Sequence, residues 1–449
     1  MTTLRELTQA DLQACVELAL KQARQLGASE AEVGVSVDVG LSVSARMREV
    51  ETLEYHRDRG MGITVYRGKR KGSASTGDLS KQAIVETVSK AYSIAGFTAE
   101  DPCAGLPDPD MLARDIPDLD LNHPWEIEPD AARDLAVACE AAALDVDPRI
   151  SNSEGATLSS HQGTRMFGNS LGFVAGYAST MHSLSCSVVA KQGDDMQRDY
   201  WYSSVRDYRD LESADSIGMR AAKRTLERLG ARQLATCVVP VMFVPELARG
   251  LIGSFLGAIR GGSQYRRASF LLDAAGRQVF PSWFTCNERP HLLKGLGSAP
   301  FDSEGVVTRD RTLVDNGTLT GYVLSTYSAR KLGLKTTGNA GGVHNLLVEP
   351  GSANGRYDFA GLLKQMHRGL VVTELMGSGV NGVTGDYSRG AAGFWVENGQ
   401  ILYPVHEITI AGNLKDMYEH VVAVGSDVDA RGGIRTGSIM LESMTVAGS

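Results

Sequence analysis

No stretch of this 449-residue chain approaches 18 consecutive apolar side chains, so a transmembrane helix is not expected. The opening residues, Met1-Thr2-Thr3-Leu4-Arg5-Glu6, lack the basic start and apolar core of a signal peptide, which points to the cytoplasm. Cysteine is sparse and unpaired in pattern. Cys15, Cys103, Cys139, Cys186, Cys237 and Cys286 are scattered with no Cys-x-x-Cys, which suits reduced thiols and not a disulfide frame or zinc ribbon. No two of the nine histidines stand three to five residues apart, which excludes a local two-histidine metal site. Internal repeats and low-complexity tracts are absent as well. A basic surface is also missing. The net charge is −8, a poor match for a phosphate backbone, so nucleic acid is not expected as a direct ligand.

What is present is the composition of a globular protein, 43% hydrophobic and 22% charged, in a chain too long for one typical domain. Residues 1–230 carry 35 acidic and 25 basic side chains, net −10; residues 231–449 carry 18 and 20, net +2. Thirty-two of the fifty glycines lie in the second part, which places the main boundary near 230. Two domains, 1–230 and 231–449, are expected, with a possible subdivision in the Pro- and Asp-rich stretch 97–129.

Thr8 and Asp11 have capping-box spacing, and Leu12, Cys15, Val16, Ala19, Ala23 and Leu26 form an apolar stripe ending at Gly27, which predicts a helix. Alternating segments at 32–39, 41–47, 50–55, 62–66 and 71–75 predict an antiparallel meander broken at Gly40, Gly60 and Gly68. Helices are predicted from Ser80 to Ala95, after Pro129-Asp130, and from about Asp215 to Gly230. Residues 151–205 read as strands, as do 238–244, 305–311, 318–324, 369–375, 393–396, 403–410 and 438–446. The fold class is therefore α+β: antiparallel strands with flanking helices, then a glycine-rich mixed or antiparallel β region with helices.

Three strings suggest chemistry and lack the context for it. Gly377-Ser-Gly-Val-Asn-Gly382 matches a dinucleotide fingerprint, but turn residues follow where a helix must open. Gly168-Asn-Ser-Leu-Gly172 matches a nucleophile elbow, but strand-like sequence flanks it on both sides. His406-Glu407 is followed by β-branched alternation and no second histidine. The run 245–259 reads as a helix with Pro245 in its first turn; Gly250, Gly253 and Gly257 on it imply a packing or binding need.

The stretches Gly62-Ile-Thr-Val-Tyr66, Asp101-Pro-Cys-Ala-Gly105, Phe167-Gly-Asn-Ser170, Pro300-Phe-Asp-Ser-Glu-Gly305, Tyr327-Ser-Ala-Arg-Lys-Leu-Gly333 and the run 371–417 carry a resemblance over the whole chain. It resembles the PmbA/TldE branch of the TldD/PmbA metallopeptidase-related family. The resemblance implies a cytoplasmic peptidase built from a TldD-type and a PmbA/TldE-type subunit. That pair trims unfolded peptides, including a microcin leader, and its members are also described as suggested modulators of DNA gyrase. In the TldD-type subunit a His-Glu-x-x-x-His motif and a later cysteine hold the metal. Carried over, these ligand positions fall on Pro245, Gly250 and Thr436, with the motif's Glu on Glu246. The expectation is a non-catalytic subunit with no cofactor of its own, zinc residing in a TldD-type partner, and a homodimer forming in that partner's absence. Gly377, Gly379, Gly382, Thr384, Gly385, Asp386, Tyr387, Ser388 and Arg389 are the candidate peptide- or interface-facing residues. Two alternatives stand beside this. One is an independent metallopeptidase with dispersed ligands among His182, His291, His344 and His406; the other is a protein that binds gyrase or another regulator.

Overall fold

The computed structural model describes residues 7–448. Its first helix, α1 (Gln9–Gln25), begins with the expected reciprocal cap: the Thr8 hydroxyl accepts from the Asp11 N–H, and the Asp11 carboxylate accepts from the Thr8 N–H at 2.9 Å. Leu12, Val16, Ala19 and Ala23, one helical face, are buried.

The meander is longer and less broken than the alternation suggests. β1 (Glu30–Arg46), β2 (Glu49–Arg67) and β3 (Arg70–Thr76) replace the five expected segments. Gly40 and Gly60 lie inside strands because each keeps an ordinary cross-strand partner. At Gly40 the glycine is a close-approach residue, since a Cβ there would come 2.3 Å from the His161 Nδ1 of the neighbouring strand. β4 (Ile150–Asn169), β5 (Val174–Gln192) and β6 (Asp195–Val205) complete an antiparallel sheet of order β3-β2-β1-β4-β5-β6. Gly168–Gly172 is a hairpin connection, not an elbow; the Ser170 hydroxyl accepts from the Ala31 N–H at 3.0 Å.

One face of this sheet is covered by helices. At one end α1 and α2 (Lys81–Phe97) pack on Val33, Val35, Met61, Ile63 and Val65. At the other end α3 (Pro129–Leu144) and α4 (Ala214–Glu227) pack on Leu41, Val43, Leu158 and Leu184. The opposite face is polar, with hydroxyl pairs Ser42–Ser159 at 3.2 Å and Ser44–Thr157 at 2.8 Å. The stretch 97–129 has no strand, only a short 3-10 turn at Pro109–Met111. It is pinned where the Thr180 N–H donates to the Leu121 carbonyl and the Lys294 N–H to the Leu119 carbonyl.

The glycine-rich part starts with β7 (Cys237–Phe243), which feeds α5 (Pro245–Ile259). β7 pairs in parallel with Gly369–Met376, followed around by Asp386–Glu397, Gln400–Asn413 and Ile439–Ala447, which returns to β7 and closes the circuit. Leu251, Ile252, Phe255, Leu256 and Ile259 bury one face of α5 in the largest core of the molecule. A smaller mixed sheet joins Thr318–Leu319, Arg311–Asp315, Cys286–Glu288, Leu346–Val348 and Ile434–Arg435. The strands expected at 305–311 and 318–324 are corrected to Arg311–Asp315 and Thr318–Leu319. The Asp302 carboxylate accepts the N–H groups of Glu304 and Val306 and holds that stretch as a turn, while the Thr337 hydroxyl takes the Leu324 N–H out of any ladder. The helix Phe359–Met366, capped by Asp358 on the Gly361 N–H, was not anticipated.

Gly250, Gly253 and Gly257 do not serve packing within the chain. A Cβ at any of them would meet nothing within 4 Å.

Candidate functional site

Arg220 and Arg224 on α4 and Arg228 at its C-cap recur every fourth residue and therefore share one face, while Ile217, Ala221, Ala222 and Thr225 bury the other. β6 places Asp199 and Trp201 on the helix-covered side, two residues apart and both nearly buried. The first turn of α5 and the loop 427–431 approach from the glycine-rich part. These four elements enclose a cleft of about 590 Å³ lined by Asp199, Trp201, Arg220, Arg224, Pro245, Glu246, Asp429 and Arg431, among others.

Arg431 is its centre. Its Nε donates to Asp429 Oδ1 at 2.9 Å, Nη2 to Asp429 Oδ2 at 3.2 Å, and Nη1 to the Tyr202 carbonyl at 2.8 Å. Its guanidinium carbon lies 3.8 Å from the centroid of the Trp201 ring, and that of Arg220 lies 3.4 Å from the same centroid, so the indole sits between two cations. Glu246 accepts from Arg431 Nη2 at 3.4 Å and from Arg224 Nη1 at 3.3 Å. Arg224 also pairs with Asp199 at 3.4 Å, Arg228 with Asp199 at 3.7 Å and with Glu374, and Arg249 with Asp429 at 3.5 Å. Burial alone would raise the Asp429 carboxyl and lower the Arg431 guanidinium. Burial is the largest single influence on each, but their shared hydrogen bonds and the surrounding opposite charges together outweigh it, leaving Asp429 below the usual carboxylate range and Arg431 above its ordinary value.

Pro245 and Glu246 line this cleft. Gly250 lies one turn further along α5 on its exposed side, and Thr436 is fully buried with its hydroxyl donated to the Gly437 carbonyl at 3.0 Å. A zinc site needs imidazole, thiolate or carboxylate donors around one point. Proline and glycine offer none, the threonine hydroxyl is already committed, and the one carboxylate faces two guanidinium groups. These residues do not fit a metal. Among the described residues, no three His, Cys, Asp or Glu side chains gather elsewhere as a metal would require.

The histidines are apart and separately engaged. His182 contacts the Ser160 hydroxyl and the His123 carbonyl, both at 2.9 Å; His291 contacts the Thr308 hydroxyl at 3.0 Å. His344 contacts the Gly338 carbonyl at 3.3 Å, and burial lowers its imidazole's pKa. His406 lies in the strand Gln400–Asn413, with Glu407 beside it at φ 53°.

The loop and strand residues Gly377, Gly379, Gly382, Thr384, Gly385, Asp386, Tyr387, Ser388 and Arg389 are brought together at the start of Asp386–Glu397, away from the Glu246 cleft. Asn381 accepts the N–H groups of Val383 and Thr384, and the Thr384 hydroxyl donates to Asp386 at 2.6 Å. Gly377 and Gly385 have positive φ. A Cβ at Gly379 would lie 1.9 Å from the Ser388 carbonyl oxygen, whereas Gly382 faces open space. Tyr387 is buried, edge-on to Phe243.

Family models match most of this architecture. The PmbA/TldA metallopeptidase domain 1 matches residues 31–95, the central domain 122–229 and the C-terminal domain 236–448. The chain belongs to the PmbA/TldD metallopeptidase family. It is 55% identical to "Metalloprotease PmbA" of Escherichia coli O157:H7 over 93% of this chain and 92% of that one. It is 49% identical to a "Metalloprotease PmbA homolog" of Haemophilus influenzae over 100% and 98%. A crystal structure from Bacteroides thetaiotaomicron, named as a suggested modulator of DNA gyrase, superposes with a TM-score of 0.92 at 27% identity, covering 99% of this chain and 100% of that one. TldE from Thermococcus kodakarensis, at 21% identity and a TM-score of 0.83 over 97% of this chain and 100% of that one, shares the fold. No helix of this PmbA/TldD chain, among the described residues, is long and apolar enough to cross a membrane.

Asp199, Trp201, Arg220, Arg224, Asp429 and Arg431 were not singled out from sequence. The four-residue spacing of Arg220, Arg224 and Arg228 on a predicted helix was the available signal.

Proposed function

We propose that this chain is the non-catalytic, PmbA/TldE-type subunit of a cytoplasmic metallopeptidase, and that a TldD-type subunit supplies the zinc and the hydrolytic chemistry. The supporting observation is the state of Glu246. A metallopeptidase's glutamate must accept a proton from metal-bound water. Glu246 instead faces Arg224 and Arg431, with proline and glycine at the flanking ligand positions. The carboxylate is turned to two guanidinium groups, and nothing beside it can polarise a water.

The substrates in this reading are unfolded peptides, the microcin leader among them. The residues 377–389 are the candidate peptide- or interface-facing segment. Any effect on DNA gyrase would follow from peptide turnover, not DNA contact. The test is reconstitution. This chain and a TldD-type subunit are assayed separately and together on an unfolded peptide, with Glu246→Gln alongside. Activity only in the mixture, unchanged by Glu246→Gln, is expected. Hydrolysis by this chain alone that Glu246→Gln abolishes would refute the proposal.

A further inference from the structure

A second cleft, of about 610 Å³, lies where the loops 296–303 and 340–344 of the glycine-rich part cover the polar face of the first sheet. Ligand sites favour such junctions between parts of a chain. Its floor is one cross-strand row: Ser36 on β1 stands opposite Arg165 on β4, which stands opposite Tyr177 on β5. Successive side chains of a strand point to opposite faces. Ser36 is therefore on the side of Ser42 and Ser44, away from the helices, and so are Arg165 and Tyr177. Arg206, just past the end of β6, enters the same cleft.

Two cations meet here without an anion between them. Arg206 Nη1 donates to the Thr180 carbonyl and Nη2 to the Leu296 carbonyl, both at 2.8 Å, so it ties the sheet to the loop that covers it. Both acceptors are neutral, and the buried Nε–H has no partner. Burial lowers the Arg206 pKa and the like charge of Arg165 adds to that; among the described residues no carboxylate acts on it. Arg165 is exposed, its guanidinium carbon 5.2 Å from the Tyr177 ring centroid, and it forms no ion pair among the described residues. The carboxylate that lines the cleft, Asp302, pairs with neither arginine. Its oxygens accept the N–H groups of Glu304, Val306 and Ala340, each at 2.9 Å, and burial, with Glu304, raises its pKa to about 7. A largely buried guanidinium ordinarily has an anion beside it, because leaving it unpaired is costly.

We infer that this cleft binds an organic carboxylate, held between Arg165 and Arg206, with its apolar group against Phe167, Ala299 and Val343. Guanidinium N–H groups match the oxygens of a carboxylate. The Ser36 and Ser179 hydroxyls, which have no protein partner among the described residues, add donors beside them. Asp302 offsets part of the positive charge, and the apolar wall adjoins the arginines. A singly charged group joined to a hydrophobic one therefore fits better than inorganic phosphate. The C-terminus of a peptide ending in a hydrophobic residue and a free aryl acid share that chemistry. The cleft has no lining residue in common with the Glu246 cleft. Binding here needs neither zinc, a second subunit nor hydrolysis, so its failure would leave the reading of Glu246 untouched.

Calorimetric titration of the purified chain with N-acetyl-Ala-Phe and with its C-terminal amide tests this. The acid should bind at least about tenfold more tightly than the amide. Arg206 braces two carbonyls, so Arg165, exposed and without an ion pair, is the residue to change. Arg165→Gln should weaken acid binding at least about tenfold and leave the melting temperature unchanged, while Arg165→Lys should restore part of the loss. Phenylpropionate separates the two sources. Weaker binding than the peptide acid assigns the site to a peptide terminus, equal or tighter binding assigns it to a small free acid, and either supports a carboxylate site. The acid-against-amide comparison stands whether or not a variant folds. No detectable binding of either acid, equal affinity for acid and amide, or acid binding that survives Arg165→Gln overturns the inference. Inorganic phosphate binding more tightly than both acids overturns it equally.

Discussion

Replacing Arg431 by alanine tests the cleft most sharply. Arg431 has a side-chain exposure of 14% and Asp429 of 5%, so their hydrogen bonds are largely desolvated. The substitution removes the stack on Trp201, a contribution of about 0.5–2 kcal/mol. It also leaves Asp429, among the described residues, with Arg249 at 3.5 Å as its remaining cationic partner. Removing one member of a buried pair costs about 3–5 kcal/mol, so Arg431→Ala should destabilise by about that amount. Glu246→Gln is the contrast. Its two contacts are long, 3.3 and 3.4 Å, and removing the carboxylate leaves Arg224 still paired with Asp199 and Arg431 with Asp429. Glutamine keeps an acceptor toward both guanidinium groups, so a clearly smaller loss than that of Arg431→Ala is expected. Chemical denaturation of both single variants and the double variant, followed by circular dichroism, gives the two costs and their coupling. An Arg431→Ala protein as stable as wild type would refute the reasoning, as would a Glu246→Gln protein destabilised equally.

Three further outcomes follow from packing and charge. Gly218 on α4 has no room, since a Cβ would lie 2.1 Å from the Cys139 carbonyl oxygen of α3. Gly218→Ala should therefore cost about 1–3 kcal/mol by thermal denaturation, whereas Gly250→Ala in open space on α5 should stabilise by about 0.5–1 kcal/mol. Burial, with help from Glu304, raises the Glu32 carboxyl to about 7. The folded state then holds a proton that the unfolded state, with a pKa near 4.3, releases earlier. Stability from this group is full below about pH 4 and falls as pH rises to 7, and Glu32→Gln should flatten that fall between pH 5 and 8. Glu140→Ala leaves two N–H groups of a positive-φ turn without their acceptor and should cost about 2–3 kcal/mol, with faster amide exchange at Met47 and Arg48.

Local signals in the sequence reached the α+β class, the capped first helix, the helix at 214–227 and the hairpin at Gly168–Gly172, because each rests on residues within one or two turns of each other. Strand ends were less legible. Gly40 and Gly60 look like breaks, yet cross-strand partners carry β1 and β2 straight through them. The short strands Cys286–Glu288 and Leu346–Val348 have no length over which alternation could register. The cleft was least legible. Glu246 and Arg431 are 185 positions apart, and Trp201 comes from another sheet altogether, so no spacing in the chain announces their contact. Only the family resemblance drew attention to Glu246, and it could not say that guanidinium groups would stand beside it.

The most direct test of the central claim is the zinc content of the purified chain, measured by elemental analysis after dialysis, together with its hydrolysis of an unfolded peptide. The account predicts less than about a tenth of an equivalent of zinc and no turnover until a TldD-type subunit is added. One equivalent of zinc with turnover by the chain alone would contradict it.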